Sequence, residues 1–462
     1  MTGKTVLALA ALGTLMSLRA EAQSATDMAA LKGLAPVSVL EKTHGGRAAL
    51  AANYRVTGGI QTGAIRQSTL LPFAEQRERA LRDAFITGGN LADLADGLGT
   101  TLGAAYVARA HYADQTHFTS ISPAVADLIA YATETSGTNS NSGKYFFANG
   151  TTEGKTPVST AAMAIFKQNG GETDVFGKSY GLPAGSPGAD AFGDSRPFQT
   201  EKHTAQFAGT DYFNVHTNNG AYNRGPIMDL TNSPSYPSGH TTYGYTGALI
   251  LALLVPERYQ QMIARGAEYG NDRIIMGAHY AMDVLGGRTL ALYDMAHLLA
   301  NDPAYVGQTL KGVPTTIRDF PAAIKAARAD VTSALQAACG KTIQECARED
   351  TGRLSNPAAN EAFYAGTQTY NLAVVYPQEA SATEDVGKLA PEAGYLLTIA
   401  FPSLTLEQAD RILTETEGPG GGFLDNGATF GGSSFGVYSR INLYAAAGRA
   451  ALVAGKSSGA RD

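Results

Sequence analysis

The chain has 462 residues, of which 44% are hydrophobic, and a formal net charge of −6. That is enough apolar material for one large core or two ordinary ones, which excludes a disordered chain. Charged residues are spread evenly rather than gathered into basic runs, which excludes nucleic acid as the expected partner.

At the N-terminus, Lys4 precedes an apolar stretch from Val6 to Leu18, and Ala20-Glu21-Ala22 has the small-x-small form of a cleavage site. The reading is a secretory signal over residues 1–22, a mature chain from Gln23, and a periplasmic or secreted location. Past it, the longest apolar run is Gly247 to Val255, far short of the roughly 20 residues that span a bilayer. No transmembrane segment is expected.

Good helix formers with mixed three and four spacing run from Leu81 to His111. Between about Thr133 and Arg196 the composition shifts to Gly, Ser, Asn, Thr and Pro, predicting long loops around a helical piece near Ala161 to Lys167. Helical pattern resumes over Thr241–Val255, Pro256–Tyr269 and Gly277–Ala300, with turn signals at Val255-Pro256 and Gly270-Asn271. Beyond Asp302 come further helices, including Thr405 to Thr416, where Thr405 and Gln408 have capping-box spacing. Cys339 and Cys346, seven positions apart, read as a local disulfide in an oxidising compartment. The glycines of Gly418-Pro419-Gly420-Gly421-Gly422 lack the Lys-Ser or Lys-Thr of a phosphate loop. Alternating apolar runs are few, so the expected fold is all-α.

Two stretches carry chemistry. Pro237-Ser238-Gly239-His240 opens an apolar helix, and the unpartnered N–H groups of a helix start favour an anion such as phosphate. Pro237 suits the first turn, Gly239 lets the backbone approach an oxygen closely, and Ser238 can add a hydroxyl donor. Arg273, His279 and Asp283 punctuate an apolar setting. His279 and Asp283 are four apart, so on one helix the carboxylate can orient the imidazole while the other ring nitrogen stays free to attack phosphorus. Arginine's planar fork suits a phosphoryl group, and Arg273 and Arg196 are the candidates.

In order, Arg196-Pro197, Pro237-Ser238-Gly239-His240 and Arg273-x5-His279-x3-Asp283 resemble the signature of the type 2 phosphatidic acid phosphatase and vanadium haloperoxidase superfamily. The flanking sequence, from Ser235 through Arg288 and on to Asn301-Asp302-Pro303-Ala304-Tyr305, looks most like the bacterial class A non-specific acid phosphatases. The resemblance covers roughly residues 195–305. It implies a helical-bundle core with long loops, His279 as nucleophile, Asp283 orienting it, and His240 as general acid. It also implies phosphate bound by Arg196, Ser238, the Gly239 amide and Arg273, with no metal requirement. A small-molecule phosphate ester is the implied substrate and vanadate the expected inhibitor. The organisation expected is a phosphatase domain over 23–310 and a C-terminal extension over 311–462 packed on the core, in an oligomeric state the sequence leaves open.

Two departures stand out. Seven residues before Arg196-Pro197, where the family places a lysine, stands Ala189; Lys178 and Lys167 are the candidates to replace it. Asp272 precedes Arg273 in place of a serine, and its carboxylate would repel phosphate unless turned toward a cation. The alternative activity is a vanadium-dependent haloperoxidase, with vanadate as cofactor held in the same cradle. A non-catalytic exported binding protein is the third reading.

Overall fold

A computed structural model describes residues 28–66, 71–85, 90–168, 173–180, 182–201, 204–350, 352–428 and 433–459. The signal segment read at residues 1–22 lies outside them. The principal helices are α1 (His44–Thr62), α2 (Phe73–Asp83), α3 (Pro123–Asn149), α4 (Gly239–Leu254), α5 (Tyr259–Ile275), α6 (Ala281–Leu299), α7 (Phe320–Cys339), α8 (Pro357–Thr369), α9 (Leu406–Glu415) and α10 (Leu443–Gly459). Strand pairing among the described residues is confined to two antiparallel hairpins, Thr151–Thr152 with Thr156–Pro157 and Ala208–Thr210 with His216–Asn218. The fold is all-α, as expected. No described helix is long and apolar enough to cross a membrane.

Helix α4 lies at the centre. It is apolar almost all round, which in a globular protein means burial on every side, and it packs against α3, α5, α6 and α7. Its glycines set how closely it approaches its neighbours. A Cβ on Gly244 would lie 2.0 Å from Tyr269 Cδ1, and one on Gly247 would lie 2.5 Å from Leu91 Cδ2.

Three expectations need correction. The Ser/Thr/Asn-rich stretch after Thr133 is not loop but the second half of α3, a helix of 27 residues. Its small polar residues are accommodated by helix packing. Thr133 and Thr135 return their hydroxyls to the carbonyls of Ile129 and Tyr131, Ser136 meets Thr246, and Asn139 donates to Asp294. The turn read at Gly270-Asn271 is interior to α5, where Gly270 makes room for Val284 at 3.0 Å. Between Leu81 and His111 the described residues form the end of α2, a 3-10 segment over Asp93–Leu98 and a short helix over Thr100–Val107.

The C-terminal third rests on the same core. Arg328 donates to the carbonyls of Leu253 and Ile399, Tyr259 to Leu396, and Arg288 to Thr367, Gln368 and Ser439. Arg353 bridges Glu268 on α5 and Asp96, both at 2.6 Å, while buried Arg265 clamps Asp83 and Asp96. Cys339 and Cys346 form the expected disulfide, and Thr405 and Gln408 the expected capping box.

Gly244→Ala forces the α4–α5 contact apart. Denaturant unfolding is expected to register a loss of about 2–3 kcal/mol, the upper part of the range for overpacking a tight core; an unchanged midpoint would mean that Tyr269 moves aside freely.

Candidate active site

Three separate segments meet at the N-terminal ends of α4 and α6, and backbone contacts lock them together. Ser235 N–H donates to the Asp194 carbonyl and Tyr236 N–H to the Asp194 carboxylate. Ser238 N–H donates to the Asp283 carbonyl, and Phe198 N–H to the Gly277 carbonyl. The first turn of α6 is held from α1, where Thr57 and Asn53 accept from the amides of Ala281 and Met282.

Arg196 is fully buried and spends every donor on this lock. Its guanidinium reaches the carbonyls of Ser233, Pro234 and Ala278, the Ser233 hydroxyl, and Nε2 of His279 at 3.0 Å. Since arginine can only donate, Nε2 of His279 carries a lone pair and Nδ1 carries the proton.

Nδ1 faces the Ser235 hydroxyl at 3.2 Å, and that hydroxyl donates in turn to Asp283 Oδ2 at 2.5 Å. The direct His279–Asp283 separation is 3.4 Å. The pair was expected on one helix. Instead His279 precedes α6, and Asp283 sits at the third position of that helix, accepting from Tyr280 N–H at 2.8 Å. Capping geometry, not a shared helical face, brings them together, and Ser235 is the intermediary that the spacing argument missed.

His240 is the second residue of α4, and Ser238 is its N-cap, accepting from Thr241 N–H. Accepting that bond leaves the Ser238 O–H free to donate, and Pro237 precedes the cap rather than occupying the first turn. The Gly239 and His240 amides have no acceptors among the described residues. Arg273, at the end of α5 and fully buried, has no hydrogen-bond partner on any of its three guanidinium nitrogens among the described residues.

The missing lysine is supplied from elsewhere. Lys144, on α3, is 5% exposed, and its Nζ would lie 3.4 Å from a Cβ on Gly239, as would the unpartnered Ser140 hydroxyl. Burial, reinforced by Arg196, pushes its ammonium down to about 7. Of the two lysines expected to take this place, Lys167 is exposed on the Thr160–Gln168 helix, and the side chain of Lys178 lies outside the description. Lys144 escaped notice because its surroundings read as loop; once α3 is a helix, a lone cation on its buried side is the visible signal.

Asp272 does not face this group as a free carboxylate. It accepts from Gln76 on α2 at 2.6 Å, and burial together with Asp83 and Glu268 raises its pKa well above the usual range, favouring the neutral acid. The aromatic residues of the neighbouring loops are packed: Phe198 is 3% exposed, Tyr212 and Phe213 meet Tyr112, and Phe192 meets Tyr145.

Burial, with Arg196, Lys144 and Arg273 adding to it, holds His279 well below the ordinary histidine range, hence neutral. His240 is lowered by burial, then Arg273, Lys144 and Arg196. Burial lifts Asp283 to about 6 against the pull of Ser235, Tyr280 and the cations. The result is a buried, cation-rich cluster beside a neutral imidazole, reaching partial exposure only at His240. It is suited to an anion and unsuited to a metal cation.

Residues 182–300 match the PAP2 superfamily. The non-specific acid phosphatase of Salmonella typhimurium is 46% identical over 69 residues, covering 15% of this chain and 28% of that protein. The acid phosphatase of Zymomonas mobilis is 47% identical over 64 residues, 14% of this chain and 24% of that one. The corresponding Providencia stuartii enzyme is 40% identical over 72 residues, 16% and 29%. The chain thus spans less than a third of the length of the curated relatives it matches.

Sulfate keeps its charge between pH 5 and 9, so its binding reports the protein's protons alone. Because the folded-state pKa of Lys144 lies near 7, the ammonium is charged below that pH and neutral above it. Affinity measured by calorimetry is expected to fall, by up to about tenfold per pH unit, as pH rises past 7. In Lys144→Met it should be weaker at pH 6 and lose most of that decline; an identical profile in the variant would remove Lys144 from the site.

Proposed function

We propose that this chain, whose residues 182–300 match the PAP2 superfamily, hydrolyses phosphate monoesters through a covalent intermediate on His279. The observation that carries the reading is the buried Arg273 guanidinium, without a hydrogen-bond partner on any nitrogen among the described residues, beside a neutral imidazole. A buried cation left unpaired is costly, and a bound phosphate removes that cost.

In the proposed reaction the phosphoryl oxygens lie against Arg273, Lys144 and the Gly239 and His240 amides. Arg196 holds the loop that carries His279 and exchanges its contact with Nε2 for one with a phosphoryl oxygen. Nε2 attacks phosphorus as the ester P–O bond breaks. His240, protonated once a phosphate dianion offsets the surrounding cations, delivers its proton to the leaving oxygen, and its partial exposure gives that group a way out. The positive charge arising on His279 is stabilised through Nδ1, Ser235 and Asp283. Water then attacks the phosphohistidine, His240 accepts its proton, and inorganic phosphate leaves with His279 restored.

No metal is needed in this scheme, because the donors around phosphorus are themselves cationic. The same cradle fits vanadate, which is expected to inhibit; under the second reading it would instead serve as cofactor for halide oxidation. A secretory N-terminus and the exported class of phosphatase it resembles support a periplasmic or secreted enzyme.

The chain from Gln23 onward should hydrolyse p-nitrophenyl phosphate in the presence of chelator and be blocked by vanadate. His279→Ala is expected to abolish turnover, and His240→Ala to lower kcat by about 10²–10⁴-fold, the range for losing a general acid. Full activity in His279→Ala would defeat the mechanism, and vanadate-dependent bromination of an indicator dye without hydrolysis would favour the haloperoxidase reading.

A further inference from the structure

Away from the candidate active site, uncompensated charge gathers in the C-terminal third. Glu379, on the short Pro377–Ala380 helix, Glu384 in the segment that follows, and Asp425 beyond α9 are all 0% exposed. One oxygen from each lies within 4.8 Å of the others. Ligands about 2.4 Å from a calcium ion are at most about 5 Å apart, so the three can share one ion as they stand.

Glu379 carries the argument. Both of its oxygens are buried, and neither accepts a hydrogen bond. Glu384 is in the same condition, as is Oδ1 of Asp425. Arg440 is the nearby cation, but its closest bonds go elsewhere, to Glu417 at 2.7 Å and the Ala382 carbonyl at 2.8 Å. It stands 3.8 Å from Glu384 and 3.9 Å from Asp425, too far for hydrogen bonds. Among the described residues, one guanidinium thus faces four carboxylates and leaves Glu379 without a hydrogen bond or ion pair.

The glycine-rich run that has no phosphate-loop context wraps this cluster. A Cβ on Gly420 would lie 2.7 Å from the Glu379 carbonyl and 2.9 Å from Arg440 Cζ; Gly421, at φ +75°, donates its amide to Asp425. The backbone comes this close only because side chains are absent. A cavity of about 310 Å³, lined in part by Pro419, Gly420 and Gly422, adjoins this run.

We propose that Glu379, Glu384 and Asp425 bind one hard divalent cation, calcium in preference to magnesium, which fastens the 377–384 segment to the glycine-rich turn. All-oxygen, all-carboxylate donors favour such ions over zinc or copper, and the irregular arrangement suits calcium's flexible coordination better than magnesium's strict octahedron. The ligands come from segments about 40 residues apart, so the ion stabilises the folded chain by binding it alone. This site is independent of the phosphatase reading.

The test uses the chelator-stripped chain from Gln23 onward, with CaCl2 as the probe and thermal unfolding and calorimetry as the readouts. The expected result is one site per chain and a saturable rise in Tm of several degrees, smaller with MgCl2. Glu379→Gln breaks no hydrogen bond, so it should fold and bind calcium at least tenfold more weakly; Glu384→Gln repeats the measurement if it does not. Absence of any heat or Tm shift up to about 10 mM ion overturns the proposal. So does an undiminished calcium response in these variants, which would put the ion elsewhere, or a rise in their ion-free Tm without calcium binding, which would mean that protons alone neutralise the cluster.

Discussion

The constraint on which the candidate site depends is the burial of Lys144, Arg196 and Arg273 within one apolar helical core. Like charges out of water repel and lose hydration, so such a cluster survives only if the surrounding chain fixes it. Arg196 shows how. All its donors are spent on three loop carbonyls, a serine and an imidazole, so the charge that would be hardest to bury also welds the loops that bring His279 and Ser235 together. Arg273 is the opposite case, with no hydrogen-bond partner among the described residues. The contrast between a saturated and an unsaturated arginine separates scaffold from anion receptor within a single pocket.

A second electrostatic centre keeps the first from being cancelled. Arg265, held by Asp83, Asp96 and Glu268, and Arg353, which joins Asp96 to Glu268, gather the acidic residues of α2, α5 and the Asp93–Leu98 segment into ion pairs of their own. Asp272, adjacent to Arg273 in sequence, belongs to that centre through Gln76 and its raised pKa. Helix α5 therefore presents a cation to the pocket while its neighbouring carboxylate points elsewhere. Arg353 comes from the C-terminal third, so that part of the chain contributes to the charge separation behind the site.

The match to the PAP2 superfamily runs over residues 182–300, and Lys144 lies before it begins. The buried cations thus come partly from segments inside the match and partly from a helix outside it. The small residues of α3 make this possible. Gly137 and Gly143 sit against Tyr243 and Pro237, which brings α3 close enough for a lysine to reach the start of α4.

The sequence by itself determined the all-α class, the disulfide, the α9 capping box and the three motif segments, because each rests on local spacing or periodicity that survives without neighbours. It also marked His240, His279, Asp283, Arg196 and Arg273, since charged residues in apolar runs demand partners. Only the tertiary structure decided who those partners are. Helix α3 was illegible because its Ser, Thr and Asn residues favour loops in isolation and become helical only when packing against α4 and α6 satisfies them. Lys144 followed from that helix. Ser235 stands between His279 and Asp283 because a helix start, rather than a helix face, holds the pair. Glu379, Glu384 and Asp425 carry no pattern along the chain; burial and proximity, which sequence spacing does not encode, make them a group.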